Sequence, residues 1–269
     1  MPRLLIHAGY HKTGTSSLQA TMRENADAIE PWVRVNTQDE TRDLRLASSL
    51  FARDPEPEVE DLLREAMQAL LAHYDPQDYR DLLITEEDLA GTMPGRHGKS
   101  TYDMTVAILT VVTEEIGTSA FAGHDLQLLL TLRDTGPWAR SCYSQHLRST
   151  AMTESLDDYL KTDAAQCDLA VCAQQVAEAL APIPVHLAWL EKIGDRPLGP
   201  AEAAIDLLPK LANRRDAMRP TGMSNTALPQ ELIDQFLALN RQDLDPMELK
   251  QAKLKARRAY WGAQRRANS

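Results

Sequence analysis

Residues 126–132, LQLLLTL, constrain the fold more than any other stretch of the chain. Seven residues with only two polar members, Gln127 and Thr131, cannot leave one face of a strand in water. The segment therefore belongs in the middle of a sheet covered on both sides, which is how parallel sheets read. Residues 4–9, Asp81–Thr85 (DLLIT) and 185–190 (VHLAWL) have the same strand character. Helical periodicity fills the intervals. Leu18, Met22, Ala26 and Ile29 lie on one helix face, and residues 41–52 and 57–73 read as helices, the second with Pro57 near its start. A Gly-rich loop (Gly91, Gly95, Gly98) precedes a helix carrying Met104, Ile108, Val111, Val112 and Ile116. Further helices are expected at 137–148, 155–162, 167–181, 200–212, 229–241 and 246–264. Strands separated by helices specify an α/β fold with a doubly wound, mainly parallel central sheet flanked by helices. No repeat, linker or composition break interrupts residues 1–269, so a single domain is expected.

Charge and cysteine content narrow the function classes. A formal net charge of −10 excludes a broad polyanion-binding surface, so nucleic acid is not an expected partner and an anionic ligand needs a local positive pocket. Cys142, Cys167 and Cys172 are odd in number and form no CxxC pair, which speaks for structural thiols in a reducing compartment and against a disulfide framework or a metal site. No apolar run approaches the ~18 residues of a membrane helix, and the N-terminal run is too short for a signal segment, so a cytoplasmic location is expected. Residues 247–269 hold seven Lys/Arg against the single Glu248. They read as a basic helix docked by Leu249, Leu254, Tyr260 and Trp261, open to an anionic partner or membrane surface.

The chemistry concentrates in Gly9-Tyr10-His11-Lys12-Thr13-Gly14-Thr15-Ser16-Ser17-Leu18, between the first strand and the first helix. A turn in that position aims unpaired backbone N–H groups and the positive end of a helix dipole at one point, and Gly14 permits close approach. Thr13, Thr15, Ser16 and Ser17 add hydroxyls, and Lys12 adds a full charge. A cation at a helix start opposes the dipole unless an anion is bound there. The order differs from the nucleoside triphosphatase loop G-x-x-x-x-G-K-[ST]. Arg133, not an acidic residue, follows the 126–132 strand, which demotes an ATP-dependent kinase-like enzyme to an alternative reading. A nucleotide-binding protein without turnover is a second alternative.

Lys12-Thr13-Gly14-Thr15-Ser16 resembles the 5′-phosphosulfate loop of the sulfotransferase family, whose members carry a Lys (or Arg)-[ST]-Gly-[ST]-[ST] run after the first strand. Arg133 and Ser141, eight residues apart in TLRDTGPWARS, resemble the family's second signature, an Arg ending a central strand and a Ser on the next helix that hold the 3′-phosphate. The resemblance implies a P-loop-NTPase-like sulfotransferase fold and 3′-phosphoadenosine 5′-phosphosulfate (PAPS) as donor, with PAP as product and no metal requirement. It implies Lys12, Thr13, Gly14, Thr15, Ser16, Ser17, Arg133 and Ser141 as cofactor contacts. Lys12 and Glu87 become the catalytic pair, Glu87 occupying the position of the catalytic base with Glu86 beside it. His11, His97 and His146 are further candidates for the base. Ser17-Leu18 stands where members that sulfate phenols and steroids carry a Trp, and their C-terminal Arg-Lys-Gly run is missing. The wording resembles the bacterial and carbohydrate-modifying branch instead, implying a carbohydrate, lipid or small-molecule acceptor sulfated on a hydroxyl or, second to that, an amine. Arg214, Arg215 and Arg219, before Pro220-Thr221-Gly222, lie where relatives close a loop over the adenosine.

Overall fold

Five parallel strands form one sheet in the order β2-β3-β1-β4-β5: β1 (Arg3–His7), β2 (Val33–Asn36), β3 (Asp81–Thr85), β4 (Asp125–Leu132) and β5 (Val185–Trp189). The structure is a computed structural model that describes residues 1–221 and 227–267. The helices are α1 (Thr15–Glu24), α2 (Ala26–Ile29), α3 (Arg42–Phe51), α4 (Pro57–Leu71), α5 (Thr105–Thr118), α6 (Thr135–Ser149), α7 (Leu156–Tyr159), α8 (Leu169–Ala179), α9 (Leu190–Ile193), α10 (Glu202–Leu207), α11 (Pro209–Ala212), α12 (Gln230–Asn240) and α13 (Pro246–Ala267).

The chain divides into two compact units, residues 1–135 with 167–225 and residues 136–166 with 226–269. The first holds the sheet, and alternation along its strands fills both faces. Leu5, Leu83 and Leu129 pack with Leu18, Met22 and Ile29 and with Leu198, Ala204, Ile205, Leu208 and Leu211. Leu4, Ile6, Leu82, Ile84, Leu128 and Leu130 point the other way and are equally buried. Two-sided burial explains the continuous apolar run of β4. Here α3 packs on α4, α4 on α5 and α5 on α8, which in turn contacts β4 and β5.

The second unit carries the rest of α6, then α7, α12 and α13, with α12 packed on α13. Lys253 docks α13 by donating from Nζ to the carbonyls of Leu147 (2.6 Å) and Thr150 (2.7 Å), beyond which α6 has no helical partners for them. Asn240 of α12 donates to the carbonyls of Leu147 and Met152. Leu249 and Lys253 are buried, whereas Leu254 and Trp261, expected to dock this helix, are exposed.

Three local departures from the expected elements have identifiable causes. The apolar face spanning Leu18 to Ile29 is two helices. Asn25 ends α1 by donating to the Thr21 carbonyl (2.9 Å) and the Arg219 carbonyl (3.0 Å) while accepting from the Arg219 N–H (2.7 Å). Residues 200–212 are also split, because Pro209 pushes Leu208 into extended backbone (φ −110°, ψ 91°) before α11 begins. β2 was not expected at all. Its four residues include the exposed Arg34, the pattern of a short edge strand with little apolar periodicity.

Candidate functional site

β1 lies between β3 and β4, so successive crossovers leave it in opposite directions, and the crevice beyond its C-terminal end is the switch point where doubly wound sheets bind ligands. The loop 8–14 occupies that end. His7 pairs in register with Thr85 and Leu129, so the segments following β3 and β4 rise beside the loop.

A buried polar floor supports it. His7 Nδ1 lies 2.8 Å from Thr85 Oγ1, and Nε2 lies 3.2 Å from Thr131 Oγ1, which in turn lies 2.7 Å from Thr13 Oγ1. Burial lowers the His7 pKa to about 3, so the ring is neutral and serves as a hydrogen-bonding strut. Gly9 crosses this floor with no room for a side chain: a Cβ there would sit 2.4 Å from Thr15 Oγ1, 2.6 Å from Thr131 Oγ1 and 2.7 Å from His7 Nε2.

The loop then adopts unusual backbone. Lys12 has φ 68°, which a non-glycine residue rarely adopts, and Gly14 has φ 106° immediately before α1. α1 starts with no side-chain cap and no acidic residue in its first turn, leaving the dipole's positive end without a carboxylate. Thr15 is buried at that terminus, and its Oγ1 has no hydrogen-bond partner. Ser16 is exposed and Ser17 half-buried. This is the donor set of an anion site: a lysine, an uncapped helix start and an orphan hydroxyl.

Arg133, just after β4, donates from Nη1 to the Lys12 carbonyl at 3.2 Å across 121 residues of sequence. Its Nε lies 4.0 Å from Glu191 Oε1, an oxygen that also accepts from the Asp134 N–H at 3.1 Å. Two segments singled out separately in the sequence therefore meet at one point. Ser141 lies on α6 in the second unit.

The acidic pair after β3 has unequal surroundings. Glu86 is completely buried, accepts from Thr41 Oγ1 at 2.6 Å and from the Asp88 N–H at 3.2 Å, and caps a 3-10 turn at Glu87–Ala90. Burial raises its pKa to about 7 against the opposing effect of the Thr41 bond. Glu87 is half-buried in the first position of that turn. Among the candidate histidines, His11 sits in the loop. Its N–H donates to Tyr102 Oη (3.1 Å), its Nδ1 lies 3.3 Å from the same oxygen, and its Nε2 lies 3.4 Å from Asp88 Oδ1. Burial opposes its protonation, but the Asp88 hydrogen bond and the Glu87 and Asp88 charges outweigh it and raise the pKa. His97 is exposed on a left-handed turn, and His146 is buried in the second unit, 5.7 Å from the Tyr159 ring.

The arginines before the expected adenosine loop separate cleanly. Arg214 stacks over Trp32, 3.3 Å from the ring centroid, and Arg215 pairs with Glu202 and Asp206. Arg219 is exposed, its backbone pinned by Asn25. Gly222 lies outside the described residues. Sequence reasoning missed His7, Thr85, Thr131, Thr41 and Tyr102. His7 and Thr131 did carry a signal, being polar residues inside otherwise apolar strands.

No family model matches the chain, and no curated protein matches it in sequence. Two solved structures are similar to it at low identity. One comes from the PezAT chromosomal toxin–antitoxin system of Streptococcus pneumoniae, with 10% identity and a TM-score of 0.34 over 89% of this chain and 86% of that one. The other is retinol dehydratase in complex with androsterone and the inactive cofactor PAP, with 11% identity and a TM-score of 0.32 over 88% of this chain. The chain spans 64% of the retinol dehydratase chain. Among the described residues, no helix is long and apolar enough to cross a membrane and no group of His, Cys, Asp and Glu is placed to hold a metal ion.

Proposed function

We propose that the chain is a sulfotransferase that moves a sulfuryl group from PAPS to a hydroxyl, or second to that an amine, of a carbohydrate, lipid or small-molecule acceptor. The observation that supports this reading is the hydrogen bond from Arg133 to the Lys12 carbonyl, which holds the arginine of the second motif against the loop of the first. The orphan Thr15 hydroxyl and the uncapped α1 terminus fit a bound 5′-phosphate. PAPS supplies the sulfuryl group and a phosphate leaving group when bound.

The residues of the chain then divide the work. Lys12, Thr13, Gly14, Thr15, Ser16 and Ser17 hold the 5′-phosphate end, and Lys12 balances the charge that develops there. Arg133 selects the 3′-phosphate, with Ser141 entering on its sequence spacing alone. Glu87 takes the acceptor's proton, and base assistance of this kind is typically worth ~10² to 10⁴ in rate. The buried Glu86 positions the 3-10 turn that carries Glu87. The basic, exposed face of α13 supports an anionic acceptor or surface as partner.

Calorimetric titration with adenosine 3′,5′-bisphosphate, AMP and ATP with Mg²⁺ tests the donor. Binding of the bisphosphate alone, lost in Arg133→Ala and Lys12→Ala, is the expected result. Preference for ATP with Mg²⁺, or binding of none of the three, overturns the reading.

A further inference from the structure

Two of the three cysteines meet inside the sheet-bearing unit. Cys167 and Cys172 are buried with their sulfurs 3.9 Å apart, in contact but unbonded. Their place in the chain is specific. Asp168 is the N-cap of α8 and accepts from the N–H groups of Ala170 (2.8 Å) and Val171 (3.3 Å). Cys167 is therefore the residue before the cap and Cys172 the fourth helical residue, the two positions that pack together across a helix start as a hydrophobic staple. Two apolar side chains would serve a staple equally well. Two thiols at those positions add the option of a covalent bond.

The structure assigns Cys167 and Cys172 as a reversible dithiol–disulfide site, oxidised by hydrogen peroxide or a similar small peroxide, whose state is transmitted to the loop 10–13 through Tyr102. Cys172 is the attacking thiol. It lies in the first turn of α8, where the helix dipole favours a thiolate. Its pKa is held below the usual thiol range, chiefly by the hydrogen bond with Cys167 and in spite of burial. Cys172 is the less buried of the two, with 8% of its surface exposed against 3% for Cys167.

The steps balance. The Cys172 thiolate attacks one peroxide oxygen, the O–O bond breaks, and the departing hydroxide takes a proton to leave as water, giving a sulfenic acid. Cys167 then attacks the Cys172 sulfur, the S–S bond forms, the S–OH bond breaks, and the hydroxide leaves as water with the Cys167 proton. Two thiols and one peroxide become one disulfide and two waters. A small dithiol reverses the reaction by exchange.

The link to the loop is direct. The backbone of Tyr102 lies near enough to the Cys172 sulfur to favour its thiolate. The Tyr102 ring packs on Tyr10 at 4.6 Å, and its hydroxyl accepts from the His11 N–H. Drawing Cys172 toward Cys167 shifts the sulfur relative to Tyr102, and the two loop residues before Lys12 rest on the same tyrosine.

The test uses the full chain. Purified reduced protein is treated with stoichiometric hydrogen peroxide, blocked with an alkylating reagent under denaturing conditions and mapped by peptide mass. Expected is loss of two hydrogen masses, one linked peptide pair joining Cys167 to Cys172, and full reversal by dithiothreitol. Cys142→Ser should behave identically, while Cys167→Ser, lacking the resolving thiol, should stop at the Cys172 sulfenic acid and form no linked pair. Full alkylation of both cysteines after treatment, or a link that involves Cys142, overturns the site, and the wild-type map decides this whether or not a variant folds. Hydrogen exchange of residues 10–13 is expected to differ between oxidised and reduced protein, and identical exchange overturns the coupling. These readouts need no nucleotide, so they stand apart from the sulfotransferase reading, whose failure would appear only in the titrations above.

Discussion

Gly9 has no room for a side chain, because its missing Cβ is what lets Thr15, Thr131 and His7 converge. Gly9→Ala must displace the Thr15 hydroxyl together with Thr131 and His7, the last two held in buried hydrogen bonds. It is expected to cost about 1 to 3 kcal/mol of stability and to weaken bisphosphate binding, measured by urea unfolding and calorimetry. Glu86 and His7 shift stability in opposite directions with pH. The folded Glu86 carboxyl titrates near 7, above its ordinary 4.5, so its favourable contribution is complete below about 4.5 and is lost as pH rises through 7. His7 titrates near 3 when folded, below its ordinary 6.5, so the unfolded chain protonates first and stability falls as pH drops from about 6.5 toward 3. Glu86→Gln removes only the first effect. The variant is expected to gain on wild type by about 1 to 3 kcal/mol between pH ~5 and ~8 in unfolding midpoints, and a flat difference would show that the carboxyl is ionised throughout.

At the scale of elements, the break between α1 and α2 ties α1 to the segment before residue 220. Asn25 spends both its amide donors and its carbonyl on Thr21 and Arg219. Asn25→Ala strands the Arg219 N–H and carbonyl, and is expected to lower stability by about 1 to 3 kcal/mol. Faster hydrogen exchange confined to residues 214–221 should accompany the loss, and unchanged exchange there would show that the segment is held by Arg214 on Trp32 and by Met218 instead. The β1 loop was legible in the sequence because its Gly, Lys and hydroxyl residues are contiguous and sit between a strand and a helix. The Asn25 break was not, since its partner lies 194 residues away and the apolar spacing runs through it unbroken.

At the scale of the molecule, the helical unit rests on a buried lysine where the sequence offered aromatic and leucine side chains. Lys253→Met keeps the aliphatic stem and removes the donor, leaving the Leu147 and Thr150 carbonyls short of a partner. It is expected to destabilise residues 136–166 and 230–266 by about 1 to 3 kcal/mol, with hydrogen exchange in β1, β3 and β4 unchanged. Loss of protection in the sheet as well would mean that the two units unfold as one. The division crosses the sequence three times, at 135 to 136, at 166 to 167 and near 225, and leaves no mark in composition. Compactness follows contacts in space, which composition along the chain does not record.

The sequence by itself determined the parallel sheet and the loop after its first strand, because two-sided burial demands a continuous apolar strand and a tight strand-to-helix turn is written in contiguous glycine and hydroxyl residues. It also marked Arg133 through its place at a strand end. Only the tertiary structure decided that Arg133 meets the Lys12 carbonyl, that His7 and Thr131 build the floor, that Glu86 rather than Glu87 is the buried carboxyl, and that Cys167 touches Cys172. Each depends on which side chains share a few ångströms of space once strands and helices are packed. Hydrogen bonds and desolvation act over that distance, and spacing along the chain does not measure it.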